Sequence, residues 1–307
     1  MHTMGSDFEL SQSSIAFCGL SSTPADIEAA RFVVLPVPYE ATTEWLPGTR
    51  FAPQSIIDGS RLLELYDHIL DFDVSTAGIA TADELPPNYA GPEAMIADVQ
   101  SRVSDLLHRG KTPVLLGGEH TITIGAARAA ASVFPNLSVL HFDAHADLRD
   151  EYLGTRYSQA TVMRRVREYC PTTLVGIRSL SLAERRLIDS EAIPVVFWPP
   201  VDSEDWPSHV LDSLTENVYI TLDADAFDPG QVPWVGTPEP GGMVWDDLWR
   251  ILLPVAQSRR VVGFDVVEFA PRGTGSETSA YLLSKLIYRL IGAIHHFKSR
   301  REAHANG

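Results

Sequence analysis

Short apolar runs alternate with helical patterns along most of this chain. The runs are continuous rather than alternating and rich in β-branched residues, which is typical of strands covered on both faces. The candidate strands are Phe32–Val37, Thr112–Leu116, Leu137–Phe142, Thr173–Ile177, Ile193–Phe197, Asn217–Leu222 and Arg260–Val266. Because helical segments separate these runs, the pattern predicts βαβ units and a mainly parallel sheet.

Two of the intervening segments show a clear helical period. In the first, Pro92 stands near the start and Gly110 just after the end, as expected for helix boundaries. Its apolar positions are Ile96, Val99, Val103, Leu106 and Leu107. The second segment, near the end of the chain, repeats the same spacing at Leu283, Leu286, Ile287, Leu290 and Ile294. Both patterns predict amphipathic helices.

No repeat, low-complexity tract or Gly/Ser linker interrupts this alternation. A chain of 307 residues can form one large α/β unit. We therefore expect a single domain over residues 1–307, with 1–25 and 300–307 as peripheral segments. Gly and Pro are concentrated in two loops, Leu46–Pro53 and Val232–Gly242, and the second is too long for a tight turn.

Composition narrows the class of protein. No segment reaches the run of about 18 apolar residues that a membrane helix needs, so we expect no membrane partner. The formal charge of −16 argues against nucleic acid binding, and the basic stretch at residues 164–168 is interpreted as a solvated helix face.

Compartment and redox state are expected from the start of the chain and its cysteines. The first ten residues lack the basic and apolar regions of a secretory signal, which predicts a cytoplasmic protein. Two cysteines, Cys18 and Cys170, cannot form a disulfide framework and are interpreted as inert thiols.

Acidic and histidine side chains follow three of the predicted strands. The residues are His120 in GGEH, Asp143, His145 and Asp147 in DAHAD, and Asp223 and Asp225 in DADAFDP. Ligands of open parallel sheets bind outside the carboxyl ends of the strands, where these segments lie. The i, i+2, i+4 spacing projects the members of each segment from one side of an extended chain. The six side chains are therefore expected to converge.

Four converging aspartates would be costly to bury unless cations neutralise them. Two divalent cations supply four positive charges, and mixed oxygen and imidazole ligands suit Mn²⁺ and its neighbours. Taken singly, an Asp-rich loop is more often a solvated turn or a helix cap, and a lone His a core residue. Three such segments after separate strands favour a two-metal site, whereas His141, inside a strand, is interpreted as structural.

Five segments of the chain resemble the ureohydrolase family of arginases and agmatinases. They are GGEHTIT, FDAHADLRDEY, TLDADAFDP, GTPEPGG and GFDVVEFAP, in the family's order and spacing. The resemblance extends from about Thr43 to the last helix, and DLRDEY and VMRR are most similar to microbial agmatinases. It implies an α/β fold with one three-layer domain, an eight-stranded, mostly parallel sheet and assembly into a homotrimer or homohexamer.

The resemblance also implies roles for individual residues. His120, Asp143, Asp147 and Asp223 would hold one Mn²⁺, and His145, Asp143, Asp223 and Asp225 the other, with a hydroxide between the metals. Other divalent cations are possible. Asp147 would also orient the hydroxide and carry protons. Glu268, in GFDVVEFAP, would form a salt bridge with the substrate guanidinium, although a solvated glutamate at a strand end is the alternative.

These roles predict hydrolysis of a linear guanidino compound, a small cationic substrate. Agmatine, giving putrescine and urea, is the preferred substrate because of the likeness to agmatinases. Guanidinobutyrate, formiminoglutamate and arginine are the alternatives. A metal-binding but catalytically weak subunit of a hetero-oligomer is the alternative of another class.

Two positions depart from the family pattern. Gln159 in YSQATVMRR stands where related agmatinases usually carry a His that delivers a proton to the leaving amine. An amide does not titrate, so Gln159 is expected to position substrate while Asp147 and solvent carry the proton. Trp234 stands where the family loop more often has a small residue. It is expected either to contact the substrate amine at the pocket mouth or to pack at a subunit contact.

Overall fold

The structure is a computed structural model that describes residues 16–201 and 205–305, with side chains through residue 298. Part of the expected peripheral segments, residues 1–15 and 306–307, lies outside the described residues. Within those segments, Phe17–Gly19 forms a 3₁₀ turn and the last helix continues to Ala305.

Eight of the described strands form one parallel sheet. In chain order the strands are β1 (Phe32–Val37), β2 (Tyr66–Asp67), β3 (Phe72–Asp73), β4 (Ile79–Thr81), β5 (Thr112–Gly117), β6 (Leu137–Phe142), β7 (Thr172–Ile177), β8 (Val195–Phe197), β9 (Asn217–Asp223) and β10 (Arg260–Val267). The sheet order is β4-β1-β5-β10-β9-β6-β7-β8, and every pairing in it is parallel. Strands β2 and β3 form a separate antiparallel pair. The predicted eight-stranded parallel sheet is confirmed.

Helices cover both faces of this sheet. They are α1 (Pro24–Ala29), α2 (Ala52–Ser60), α3 (Pro92–His108), α4 (Ile122–Val133), α5 (Val162–Val166), α6 (Leu182–Glu191), α7 (Trp206–Ser213), α8 (Trp245–Ser258) and α9 (Ser276–Ala305). Alternate residues of β1 enter different hydrophobic clusters, Val34 with α2, α7, α8 and α9 and Val33 with α3, α4, α5 and α6. The fold is therefore a single three-layer α/β domain. None of the helices in the described ranges is both long and apolar enough to cross a membrane.

The seven strands predicted from apolar runs are all present, with ends within two residues of the prediction. Strand β4, which the sequence did not predict, has only three residues and lies at the edge of the sheet beside β1. Such a short segment carries no periodic signal of its own. Its pairing with β1 creates the strand.

The candidate residues lie at the carboxyl ends of four neighbouring strands in the middle of the sheet, β5, β10, β9 and β6. The double glycine Gly117–Gly118 at the end of β5 permits a close approach of two backbones there. A Cβ at Gly118 would lie 1.9 Å from the Tyr39 carbonyl oxygen, so no larger residue fits. The following His120 is thereby brought over the sheet edge.

Candidate functional site

The predicted metal-binding side chains meet in one buried cluster. His120 Nδ1 lies 3.2 Å from Asp143 Oδ2, 3.3 Å from Asp147 Oδ2 and 3.3 Å from Asp223 Oδ2. All four side chains are buried. The structure therefore brings together one imidazole and three carboxylates from three different strand ends.

A second imidazole completes the cluster. His145 Nδ1 lies 3.0 Å from Asp225 Oδ2 and 3.4 Å from Asp143 Oδ1. Asp143 thus lies between the two imidazoles, and all six predicted residues fall within one site. The six side chains form two groups that share Asp143: His120 with Asp143, Asp147 and Asp223, and His145 with Asp143 and Asp225.

Backbone hydrogen bonds orient three of the carboxylates. The His145 amide donates to Asp143 Oδ1 over 2.6 Å, the Asp225 amide to Asp223 Oδ1 over 2.8 Å, and the Ala144 amide to Asp225 Oδ1 over 3.0 Å. Two of these bonds join residues i and i+2, so the D-x-H and D-x-D spacing makes its own turns. The second oxygen of each carboxylate faces the cluster.

A buried hydrogen-bond relay determines which nitrogen of His120 faces the carboxylates. Thr221 donates its hydroxyl to Asp265 Oδ1 over 2.5 Å, and its oxygen lies 2.9 Å from His120 Nε2. Because the Thr221 proton is used on Asp265, the oxygen accepts from His120 Nε2–H. Tyr219 and Thr123 hydroxyls also donate to Asp265, at 2.8 and 3.0 Å. His120 Nδ1 is therefore left with its lone pair.

This lone pair faces oxygen atoms only. Within the part of the chain that the structure describes, His120 Nδ1 is buried and has no hydrogen-bond partner of acceptable geometry. A nitrogen lone pair and three carboxylate oxygens repel one another unless a proton or a cation lies between them. The donor set, nitrogen and oxygen without sulfur, fits a divalent cation of the Mn²⁺ kind.

Electrostatics of the cluster lead to the same conclusion. Burial and the neighbouring Asp143 carboxylate raise the pKa of Asp147 to about 6. Burial, Asp225 and Asp143 raise the pKa of Asp223 well above its ordinary value. Burial alone would lower the pKa of His120, but its three carboxylate neighbours raise it well above the usual value. Ionisation of Asp147 and Asp223 beside Asp143 is therefore disfavoured unless a proton or a bound cation supplies positive charge.

His141 contacts the cluster although sequence reasoning assigned it only a structural role. Its Nε2 lies 2.8 Å from Asp143 Oδ2, and its ring tilts against that of His120 with centroids 5.2 Å apart. The signal was the i, i+2 spacing of His141 and Asp143, which places both side chains on the same face of the strand. His141 orients Asp143, which extends the structural interpretation to the site.

A cavity of about 220 Å³ opens onto this cluster. Glu268, which follows β10, lines it and is only 8% exposed. Its Oε1 accepts the His120 backbone amide over 2.6 Å, and the backbone at Glu268 is left-handed, with φ 61°. Burial and the Glu119 carboxylate raise the pKa of Glu268 to about 8. Because burial disfavours the ionised form of Glu268, a cation bound beside this carboxylate would be strongly favoured.

Gln159 also lines the cavity, in a short 3₁₀ turn Gln159–Thr161. The Thr42 hydroxyl lies 3.1 Å from Gln159 Oε1, and the Gln159 backbone amide donates to the Thr42 hydroxyl oxygen over 3.3 Å. The Thr42 amide in turn donates to the buried carboxylate of Glu119 over 2.7 Å. Sequence reasoning singled out neither Thr42 nor Glu119, although Glu119 lies within GGEH, because Thr42 meets Gln159 and Glu119 only in the fold.

Trp234 lies outside the residues that line the cavity. Its side chain is partly buried and packs against the hydrophobic cluster beneath α8 and α9. Its carbonyl accepts the Ala270 amide over 2.8 Å. A substrate-binding role for Trp234 stays a prediction.

The lining of the cavity also carries charges that sequence reasoning did not single out. Glu44 and Arg149 line it, together with Tyr152. The Tyr152 hydroxyl is hydrogen-bonded to the Glu44 carboxylate, which raises the pKa of Tyr152. The Arg149 guanidinium lies 4.8 Å from the centre of the Tyr152 ring. The Glu44 carboxylate and the Arg149 guanidinium therefore line the same cavity as the cluster.

Comparisons with known proteins show which family the chain belongs to. The family model described as the arginase family matches residues 30–292. The chain is 37% identical over 274 residues to N(1)-aminopropylagmatine ureohydrolase of Synechocystis sp., covering 86% of this chain and 89% of the relative. It is 33% identical to agmatinase of Pyrococcus horikoshii, covering 87% and 93% of the two chains.

A solved structure, agmatine ureohydrolase of Thermoplasma volcanium, superposes with a TM-score of 0.81 at 32% identity. The alignment covers 89% of this chain and 93% of that one. The chain therefore belongs to the arginase family, whose ureohydrolases are hydrolytic enzymes that act on guanidino compounds.

Proposed function

We propose that this protein is a metal-dependent ureohydrolase that releases urea from a linear guanidino amine. Agmatine is the first candidate substrate, and N(1)-aminopropylagmatine, named for similar relatives, is the second. A cluster of two imidazoles and four carboxylates, buried except for His145, carries the proposal, together with Glu268, which lines the cavity beside the cluster.

Two Mn²⁺ ions, or other divalent cations, would occupy the cluster. His120, Asp143, Asp147 and Asp223 would hold one, and Asp143, Asp223, His145 and Asp225 the other. Bound there, the ions would lower the pKa of water so that hydroxide is available at neutral pH.

The remaining steps belong to side chains of this protein. Glu268 would bind the cationic guanidinium through charge-assisted hydrogen bonds and present its central carbon to the attacking oxygen. Asp147, buried and facing the cluster, would orient the attacking water and take its proton. That proton goes to the departing amine, so that the C–N bond breaks and urea and an amine are formed. Gln159 would hold the substrate by hydrogen bonding alone.

Candidate substrates differ in the group at the end opposite the guanidinium, which we call the tail. Glu44 in the cavity lining suits a cationic amine, whereas Arg149, also in the lining, suits a carboxylate such as that of guanidinobutyrate. Urea release from agmatine, N(1)-aminopropylagmatine, guanidinobutyrate and arginine, and formamide release from formiminoglutamate, would rank the tails. Greatest turnover of an amine-tailed compound supports the proposal. Turnover of none of these by the Mn²⁺-loaded protein would refute it and favour the catalytically weak subunit.

Assembly and location are further parts of the proposal. We expect a homotrimer or homohexamer, in line with the resemblance, and a cytoplasmic location. Light scattering of the purified protein would test the first of these, and a monomer in solution would contradict it.

The substitution Gln159→His tests the absence of a titratable group at this position. We expect turnover to rise by about 10²-fold, the lower end of what a positioned acid supplies, because an imidazole can pass a proton to the leaving amine. A new ionisation near pH about 6.5 should enter the profile of kcat against pH. Gln159→Asn, which keeps an amide, is the matched control. Unchanged rate and pH profile in Gln159→His would show that proton delivery does not depend on this position.

The substitution Thr221→Val tests the relay behind His120. Valine keeps the shape of threonine but cannot accept from His120 Nε2–H, so His120 loses its orientation. We expect Mn²⁺ affinity to fall by about 10- to 100-fold, as measured by titration calorimetry. Thr221→Ser should retain wild-type affinity, and Tyr219→Phe, which removes a different bond to Asp265, should change it by less than about threefold. If Thr221→Val and wild type bound Mn²⁺ with equal affinity, the hydrogen bond from His120 to Thr221 would not contribute to metal binding.

A further inference from the structure

The Gly- and Pro-rich loop at residues 232–242 borders the cluster. The Thr237 hydroxyl lies 3.4 Å from Asp225 Oδ2, and Glu239 Oε1 lies 3.9 Å from His145 Nε2. Thr237 also lines the cavity. The position of this loop therefore influences the part of the site formed by His145 and Asp225.

One guanidinium holds the loop against the backbone of the site. Arg178, just after β7, donates from Nη2 to the Asp225 carbonyl over 2.8 Å and to the Glu239 carbonyl over 3.0 Å. Its Nε donates to the Pro240 carbonyl over 3.2 Å and its Nη1 to the Gly176 carbonyl over 3.2 Å. Three chain segments, β7, the turn after β9 and the loop, thus meet on one side chain.

A second arginine holds the other end of the loop. Arg272 donates from Nη2 to the Val235 carbonyl over 3.1 Å and from Nη1 to the Leu46 carbonyl over 3.0 Å. The loop between Val235 and Pro240 is therefore fastened on both sides. Only a planar guanidinium with several fixed N–H groups can bridge carbonyls in this way, and the ammonium of lysine cannot reproduce the geometry.

We propose that Arg178 is a positioning residue of the active site, holding the Thr237 loop and the Asp225 backbone in one arrangement. This inference rests on the proposed function of the site. Arg178 acts through Asp225 and Thr237 and does not itself reach the substrate. Loss of the Arg178 guanidinium would let the loop move away from His145 and Asp225. The part of the cluster around His120 would keep its own hydrogen bonds.

The variants Arg178→Lys and Arg178→Met test this, with Arg259→Lys as the matched control. Arg259 likewise donates to backbone carbonyls, those of Leu211 and Leu214 at 2.9 and 3.3 Å, but it lies just before β10, at the opposite edge of the sheet. Hydrogen exchange of residues 235–242 should become about 10-fold faster in the Arg178 variants and stay unchanged in Arg259→Lys.

Two further measurements separate a local effect from general unfolding. One of the two Mn²⁺ sites should weaken by about 10-fold while the other keeps its affinity. The substrate KM should rise by about 10-fold with a smaller change in kcat, since positioning is lost while Glu268 and Asp147 remain.

The outcomes distinguish this inference from the proposed function. If no guanidino compound is hydrolysed by wild type, the function fails, yet exchange and Mn²⁺ binding still report on Arg178. Unchanged exchange in the loop would overturn the inference. Faster exchange throughout the sheet, or equal weakening of both Mn²⁺ sites, would also overturn it, because Arg178 would then support the fold as a whole.

Discussion

Replacing Asp223 with asparagine is expected to lower turnover by about 10³-fold or more and to reduce the bound Mn²⁺ from two ions per chain to one. Asparagine keeps the shape of aspartate, and its oxygen can still accept the Asp225 amide. It removes the negative charge of Asp223, which faces His120. Both proposed metal positions share this carboxylate. Steady-state urea release and metal analysis of the dialysed protein measure the two effects.

The same variant should shift thermal stability in opposite directions with and without metal. Burial and neighbouring carboxylates raise the pKa of Asp223 in the metal-free fold, so ionisation of Asp223 disfavours folding once the pH exceeds its unfolded pKa. The uncharged asparagine escapes this penalty, and metal-free Asp223→Asn should melt above metal-free wild type at pH 8. Saturating Mn²⁺ should stabilise wild type by about 3 kcal/mol at a hundredfold excess over Kd, and the variant by less.

Asp189→Asn is the matched control, because Asp189 lies on the exposed surface of α6. It should change neither turnover nor metal content. An Asp223→Asn variant that binds two Mn²⁺ ions and melts below wild type without metal would contradict the assignment of Asp223 as a shared ligand.

Replacing Glu268 with glutamine is expected to lower kcat/KM by about 10²- to 10³-fold while leaving two Mn²⁺ ions bound. The amide oxygen can still accept the His120 backbone amide, so the loop geometry is retained. What is lost is the charge opposite the substrate guanidinium, and an unpaired buried cation is strongly disfavoured. Kinetics and metal analysis on the same sample separate the two properties.

Glu268→Asp retains the charge but shortens the side chain by one methylene, and we expect an intermediate loss of kcat/KM. Together the variants distinguish charge from reach. If Glu268→Gln and wild type had equal kcat/KM, Glu268 would have no role in substrate binding and would serve only to support His120.

Much of the fold was predictable because its strands are buried on both faces. Continuous apolar runs such as Leu137–Phe142 are typical of strands covered on both faces, so the pattern along the chain indicated them. Strand β4, in contrast, exists because β1 has an open edge next to Ile79–Thr81. Local sequence does not contain that information.

The convergence of the six metal-binding candidates was predictable for a related reason. Their segments follow strands that run in parallel, and parallel strands place all their carboxyl ends at one edge. The spacing within DAHAD and DADAFDP also determines the turns, since Asp143 and Asp223 accept amides two residues ahead. Residue type and spacing were sufficient there.

The surroundings of these residues depended on contacts between distant parts of the chain. Thr42 reaches Gln159 across 117 positions, and Thr221 reaches Asp265 across 44. Neither pair has a spacing that a motif could reveal. Trp234 likewise faces the hydrophobic cluster rather than the cavity, because the direction of a loop side chain follows from packing and not from its residue type.

The sequence by itself thus determined the fold class, the parallel sheet and the six side chains at its edge, because burial and spacing act locally along the chain. Only the tertiary structure decided which nitrogen of His120 faces the carboxylates, how Gln159 is held and which arginines fasten the loop over the site. Those features are hydrogen bonds between segments far apart in sequence, and they exist only once the sheet has set the distances between strand ends.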